Sequence, residues 1–353
     1  MKTIKLFVIV LLICSLLNLN ILPANAKEIK YFFVDDDAKS SWYDQTHFNT
    51  IQKAIDASSN DDVIYVSNGN YFEKITINKS INLLGFDKTN IFRNETIKTN
   101  IISINSENVS ISSFNIYYKN ISEKTTGISI QGKNSKIDNC SFYKCGNGII
   151  IKSDKNSVKD CHFYNNSVGI KIYTSNSTNI SNSYFENNSR IGLIIEGSEN
   201  SIIKKNNFLN NLYGISIESI ILPSIPEEPN PPIIEAKYNT IYLCNFINNS
   251  NHTYFSVNTY ENYFDNGSFG NYWDDYNGTD NNSDGIGDTK YDFKKYDFYD
   301  RFPLIEPYFK EEDSDEKGLK LNDIFYILLI GIVFSVIILI PIAYYFRKKI
   351  LKL

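Results

Sequence analysis

The chain is expected to be all-β: a right-handed parallel β-helix solenoid with an N-terminal capping helix, followed by one C-terminal transmembrane helix. Three observations predict this. First, phenylalanines recur at Phe142, Phe163, Phe185 and Phe208, spaced by 21, 22 and 23 residues. Second, a β-branched residue precedes each by five positions (Ile137, Val158, Ile180, Ile203), and Cys145, Asn166, Asn188 or Asn211 follows by three. Third, a glycine then opens an aliphatic run, at Gly148, Gly169, Gly192 and Gly214. Phe246, with Ile241 before it and Asn249 after it, is a fifth copy, and Phe114 with Val109 reads as a looser copy upstream. A period near 22 residues with strand-length apolar runs marks a solenoid.

Leucine-rich repeats share that period but need leucines at fixed spacing, and here Ile, Val and Phe carry the repeat. β-branched residues alternating with Ser, Lys or Asn suit a pleated surface with one buried face. Coils stacked at roughly 4.8 Å put like side chains on like. Phe then sits on Phe, and inward Asn on Asn, each amide hydrogen-bonding the next. Residues 63–269 are assigned to this β-helix.

The first coils are less regular. Val63–Val66, Ile75–Ile77, Ile81–Leu84 and Ile101–Ile104 read as strands. Before them, Phe48 to Ala57 has a helical pattern with Ile51, Ala54 and Ile55 on one side. A solenoid has an open apolar end that needs cover, so residues 27–62 are read as the N-terminal cap.

Residues 1–26 read as a secretory signal. Lys2 and Lys5 form the basic start, Leu6 to Leu17 the apolar stretch, and Ala24-Asn25-Ala26 the cleavage site. Residues 324–346 contain no charge, enough length to span a bilayer of about 30 Å. Arg347, Lys348, Lys349 and Lys352 follow, placing the tail 347–353 in the cytoplasm. Residues 311–323 are an acidic, solvated linker. The expected location is therefore the cell surface, on a single-pass membrane anchor.

A net charge of −5 gives no reason to expect a nucleic-acid partner. Sequons at Asn78, Asn94, Asn108, Asn120, Asn176, Asn251 and Asn277 suit an exported glycoprotein. Cys140 and Cys161 share a repeat position on adjacent coils, Cys145 fills the Asn-column position, and Cys244 lies three coils beyond Cys161. Parallel Cβ vectors make a Cys140–Cys161 bond poor geometry, so buried thiols are expected.

Residues 270–310 break the repeat. Within them, Asp280, Asn282 and Asp284 alternate as oxygen donors, Gly285 permits a sharp turn, Ile286 offers a carbonyl and Asp288 a further carboxylate. This is calcium-type spacing, although Tyr291 stands where an EF-hand has Glu. A calcium ion here would clamp the aromatic Tyr272-Trp273 segment over the C-terminal end of the solenoid. The plain alternative is an acidic turn with no metal.

Further motifs carry a family resemblance. Asp61-Asp62-Val63-Ile64-Tyr65-Val66, Gly69-Asn70-Tyr71 and Ile77 to Gly85 resemble the start of the NosD-like β-helix family. So do Gly270-Asn271-Tyr272-Trp273-Asp274-Asp275-Tyr276, Asp284 to Asp288 and Asp300-Arg301-Phe302-Pro303-Leu304 near the end. The likeness covers about residues 30 to 308. It implies a pectate-lyase-like fold, and many similar members are adhesin-like surface proteins of archaea. It also brings a copper label, because the founding member serves copper-site maturation.

Copper sites draw on Met, Cys and His. The only methionine is Met1, and His47, His162 and His252 are scattered, so copper is not expected. A polysaccharide lyase or hydrolase is the enzymatic alternative; for it Asp138 and Asp160 read as one column on adjacent coils. Pro223 to Pro232 inserts five prolines that must loop out of a coil. The 25 tyrosines supply rings that can stack on sugars. The expected function is binding, adhesive or structural, toward glycans or envelope components. Catalysis and copper handling stand behind it.

Overall fold

The computed structural model describes residues 28–94, 98–223, 231–259, 261–293, 296 and 298–308. The expected signal (1–26), acidic linker (311–323), apolar span (324–346) and basic tail (347–353) lie outside the described residues, as do residues 224–230 of the proline insertion. Among the described residues no helix is long and apolar enough to cross a membrane.

The fold is a right-handed parallel β-helix. A typical coil has three short strands, such as Lys136–Asp138, Ser141–Tyr143 and Asn147–Ile151. The next coil repeats them at Ser157–Lys159, His162–Tyr164 and Val168–Tyr173. Pairing is parallel and in the expected register: Ile137↔Val158, Phe142↔Phe163, Ile149↔Ile170. The third strands stack into an eight-stranded sheet that ends at Asn251–Phe255.

The phenylalanine column forms as the repeat predicts. Rings of Phe142, Phe163, Phe185, Phe208 and Phe246 stack at 4.8, 5.0, 4.8 and 4.9 Å with planes within 12°. All five are fully buried. The column also explains the repeated glycine. A Cβ on Gly169 would lie 2.4 Å from the Gly192 carbonyl oxygen and 2.7 Å from the Phe185 ring. Only hydrogen fits between one ring and the next coil.

Asparagine has two separate jobs. At the corners of the coils, residues such as Asn139, Asn165, Asn182, Asn187, Asn200 and Asn210 have φ between 49° and 57°. Asparagine tolerates this left-handed conformation better than most side chains. Immediately inside, Asn166, Asn188 and Asn211 are buried. The Oδ1 of Asn188 accepts the Asn166 N–H at 3.2 Å, and its Nδ2 donates back to the Phe163 carbonyl at 3.1 Å. The ladder expected between amides is thus chiefly a ladder from amide to backbone. Side chain meets side chain in the Asn188–Asn211 and Asn211–Asn249 steps, both at 2.9 Å. Cysteines substitute in these columns. The four among the described residues are buried free thiols, and burial pushes Cys244 up to about 12.

Three sequence readings need correction. The upstream copy is Ile111 and Ile116, which pair with Ile137 and Phe142; Phe114 pairs instead with Thr89. Asp138 and Asp160 are not one column, because Asp138 pairs with Lys159. Asp160 follows one residue later, at a coil corner with φ 51°. Finally, the parallel ladder reaches beyond 63–269 at both ends. Tyr31–Val34 pairs with Val63–Val66, and Tyr272–Trp273 pairs with Asn245–Phe246.

The N-terminal end is covered by a short helix, Ile51–Ala57, which buries Ile51, Ala54 and Ile55 as its pattern predicts. Glu73 accepts the N–H groups of Ile51 and Gln52 at 2.8 and 3.0 Å. Lys79 donates to the carbonyls of Ile55, Asp56 and Ser58 at 2.7–2.9 Å. The first full coil therefore satisfies both ends of the helix, with charges that suit its dipole. The proline insertion leaves the solenoid on an antiparallel stem, Ile220–Ile221 with Ile233–Ile234.

Candidate functional site: a cleft at the C-terminal end

The last coil creates the site. Trp273 stacks on Phe246 at 4.3 Å and Tyr291 on Trp273 at 4.6 Å, so the aromatic column continues out of the repeat. Phe293 and Phe298 pack with Phe255 and Phe264 over the end. The cover is therefore broader than the Tyr272-Trp273 segment expected from sequence. Asp300 anchors it from inside. Its buried carboxylate accepts the Trp273 indole N–H at 3.0 Å and the backbone N–H groups of Asn271 and Phe302 at 2.7 and 3.0 Å. Burial pushes Asp300 up to about 7, against the pull of these hydrogen bonds. Beside it, burial works on Asp265 in the same sense, but bonds from Arg301 and the Gly267 N–H hold Asp265 below the usual carboxylate range.

The strand Tyr272–Trp273 delivers Asp274 and Asp275 opposite His252, on the final third-position strand. His252 Nε2 lies 2.9 Å from Asp274 Oδ1 and 3.3 Å from Asp275 Oδ1. The imidazole is 8 % exposed, and its Nδ1 is buried with no hydrogen-bond partner. Asp274 also accepts the Asn248 N–H, and Tyr291 donates its hydroxyl to Asp275 at 3.3 Å. The His252 hydrogen bond holds Asp275 below the usual carboxylate range, while burial and then Asp275 itself raise Tyr291. These groups line an open cleft of about 750 Å³, together with Tyr213, Tyr254, Tyr276, Lys290 and Asp292. Lys290 sits 3.9 Å from Asp292 and 4.1 Å from the centre of the Tyr299 ring.

Sequence reasoning missed this group because His252 stood alone in the repeat and Asp274-Asp275 were read only as part of a family-like motif. The other histidines also meet carboxylates: His47 with Asp44 at 2.8 Å, His162 with Glu186 at 3.2 Å. Among the described residues two sets of three acidic or imidazole groups bring ligand atoms within 4.8 Å: His252, Asp274, Asp275, and the exposed run Asp35, Asp36, Asp37.

The expected calcium residues lie beyond the cleft. Asp280 accepts the N–H groups of Asp284 and Gly285 at 3.2 and 2.9 Å, and Asp284 accepts that of Ile286 at 2.9 Å. Asn282 bonds Asp284 at 2.9 Å. These contacts curl the loop inward. Asp288 turns instead to Asn281, at 2.9 Å to its N–H and 2.6 Å to its side chain. The loop is tied to the last coil through Leu304, which bridges both Ile286 and Tyr272.

Copper can be tested against the donors present. Cys140 and Cys161 are neighbours in one column on adjacent coils, but all the described cysteines are fully buried, and among the described residues no group of three or more donors contains a cysteine or a second histidine. The set at His252 has one nitrogen and two carboxylates. Soft copper(I) favours thiolate and thioether ligands. The donors at His252 do not fit it.

Comparison with solved structures finds pectin methylesterases. One, in complex with a hexasaccharide, is 14 % identical, covering 65 % of this chain and 82 % of that one with a TM-score of 0.44. PemA from Erwinia chrysanthemi is 13 % identical, with the same coverage and a TM-score of 0.44. A Geobacillus virus E2 protein, ORF18, is 19 % identical, covering 57 % of this chain and 46 % of that one with a TM-score of 0.40. No curated protein matches the chain by sequence. The family profile described as periplasmic copper-binding protein (NosD) matches residues 54–278, well over half of the chain and nearly the whole repeat array, and the chain belongs to the NosD family.

Proposed function

We propose that the protein is an exported β-helix, anchored to the membrane by residues 324–346, that binds glycans or other envelope components through its C-terminal cleft. The observation that carries this reading is the lining of that cleft: carboxylates, an imidazole and an ammonium beside tyrosine rings. Polyhydroxylated ligands need such alternating polar and ring surfaces. Ring access supports the choice of this end over the flank of the solenoid. On the flank, Tyr117 and Tyr143 stack at 4.4 Å and 13°, and Tyr143 and Tyr164 at 5.0 Å and 18°, so each ring covers its neighbour's face. In the cleft Tyr213 and Tyr254 meet edge to face at 67°, and Tyr254 is 41 % exposed. Export is supported by the sequon asparagines Asn78, Asn94, Asn108, Asn120, Asn176, Asn251 and Asn277, which lie exposed. Screening the full-length protein against an array of envelope glycans tests the reading. Selective binding to one glycan class is expected, and a blank array counts against it.

A second reading, a polysaccharide lyase or hydrolase, draws support from Asp274, Asp275 and Lys290 sharing one cleft. Chain-cleavage products from a polyuronate or neutral glycan, lost in Asp275→Asn, would promote it.

A further inference from the structure

We infer that His252, Asp274 and Asp275 form a binding site for one divalent cation of the zinc or manganese class, at the floor of the C-terminal cleft. This goes beyond the glycan reading and does not depend on it. Their donor atoms lie within 4.8 Å of one another. The separations of 2.9 and 3.3 Å from Nε2 to the two carboxylates are close to those between neighbouring ligands of one ion. With metal–ligand bonds of about 2.1 Å, octahedral to tetrahedral angles give roughly 3.0–3.4 Å.

The surroundings of His252 supply an independent argument. The ring is 8 % exposed, and its Nε2 is aimed at both carboxylates. Nε2 can offer at most one N–H, which two carboxylates would have to share. One divalent ion satisfies all three groups together. The outer contacts also suit a metal site: the Asn248 N–H orients Asp274, and the Tyr291 hydroxyl orients Asp275. Donor chemistry selects the ion. One imidazole with two carboxylates suits borderline to hard divalent ions, and the absence of sulfur disfavours copper(I). Three protein ligands leave coordination positions free on the cleft side, where hydroxyl or carboxylate groups of a ligand can complete the shell.

The test is calorimetric titration of the full-length protein, purified in detergent and stripped with chelator, using zinc chloride and then manganese chloride. Cobalt(II) absorption gives a second readout of nitrogen and oxygen coordination. One zinc ion per chain is expected, lost in His252→Ala and in Asp275→Asn, and retained in Tyr143→Ala on the flank of the solenoid. Asp275 is more exposed than His252, so its variant keeps the test valid if His252→Ala fails to fold. The inference is overturned if the folded wild type takes up no stoichiometric ion, or if a folded His252→Ala or Asp275→Asn variant binds as the wild type does.

Discussion

The indole of Trp273 donates its N–H to the buried carboxylate of Asp300, 3.0 Å away, and this contact closes the solenoid. Trp273 is at once the ring stacked on the last phenylalanine of the column and the residue before Asp274. The bond that seals the core therefore also sets the position of the cleft. Asp300 is fully buried, and burial raises it to about 7. The sign of the resulting pH effect follows. A carboxyl whose folded pKa lies above its unfolded value near 3.8 contributes stability that is fully present below about 4. That contribution is lost as pH rises toward 7 and beyond. The charged neighbours to control for are Asp265, whose charge adds to the raising of Asp300, and Arg301, which pairs with Asp265. Thermal melts between pH 4 and 8 should show a falling Tm toward neutrality, and Asp300→Asn should flatten that slope while lowering stability overall. A slope unchanged in the variant would assign the effect elsewhere.

The column itself should respond to both deletion and insertion of volume. Phe163→Ala removes a fully buried ring between two stacked neighbours and should cost about 3–5 kcal/mol. Gly169→Ala adds one methyl where no space exists and should cost at least about 1–3 kcal/mol. Denaturant unfolding checks both, and a neutral Gly169→Ala would show that the ring spacing is not what demands glycine.

Calcium should act on the Asp280–Asp288 loop as a structural clamp. The inward bonds of Asp280 and Asp284 already curl the loop, and Asp288 would have to leave Asn281 to complete a ligand set. Ligand binding to the folded state raises Tm by mass action. Melts with calcium and with chelator should therefore differ, and Asp284→Ala should remove the difference. Equal melts would reduce the loop to a hydrogen-bonded acidic turn.

The orientation assigned to residues 324–353 is tested on intact cells. Added protease should remove the solenoid and leave a small fragment bearing the basic tail. Complete protection would contradict a domain outside the membrane.

Much of the fold was legible because stacking forces like residues into like positions. Phe142 to Phe246, the buried asparagines and the helix around Ile55 all follow from spacing and burial. Register errors arose where the repeat weakens. Phe114 preserves the spacing from Val109, yet the ladder runs through Ile111 and Ile116, two residues later, with Ser113 at φ 66° as the coil corner that matches Asn139 at φ 49°. The pairing of Asp138 with Asp160 failed by a single residue, enough to move a side chain from a strand to a corner. The cleft was least legible. His252 and Asp274 are brought together only because the closing strand lays Trp273 on Phe246, a contact outside the repeat.

The most direct measurement of the central claim is calorimetric titration of the best glycan from the array against full-length wild type, Tyr254→Ala and Asp275→Asn, with Tyr143→Ala on the flank as control. The account predicts that both cleft variants lose at least about tenfold in affinity, roughly 1.4 kcal/mol, while the flank variant binds as wild type. Binding that survives both cleft substitutions and falls with Tyr143→Ala would contradict it, and would move the recognition surface from the C-terminal end to the side of the solenoid.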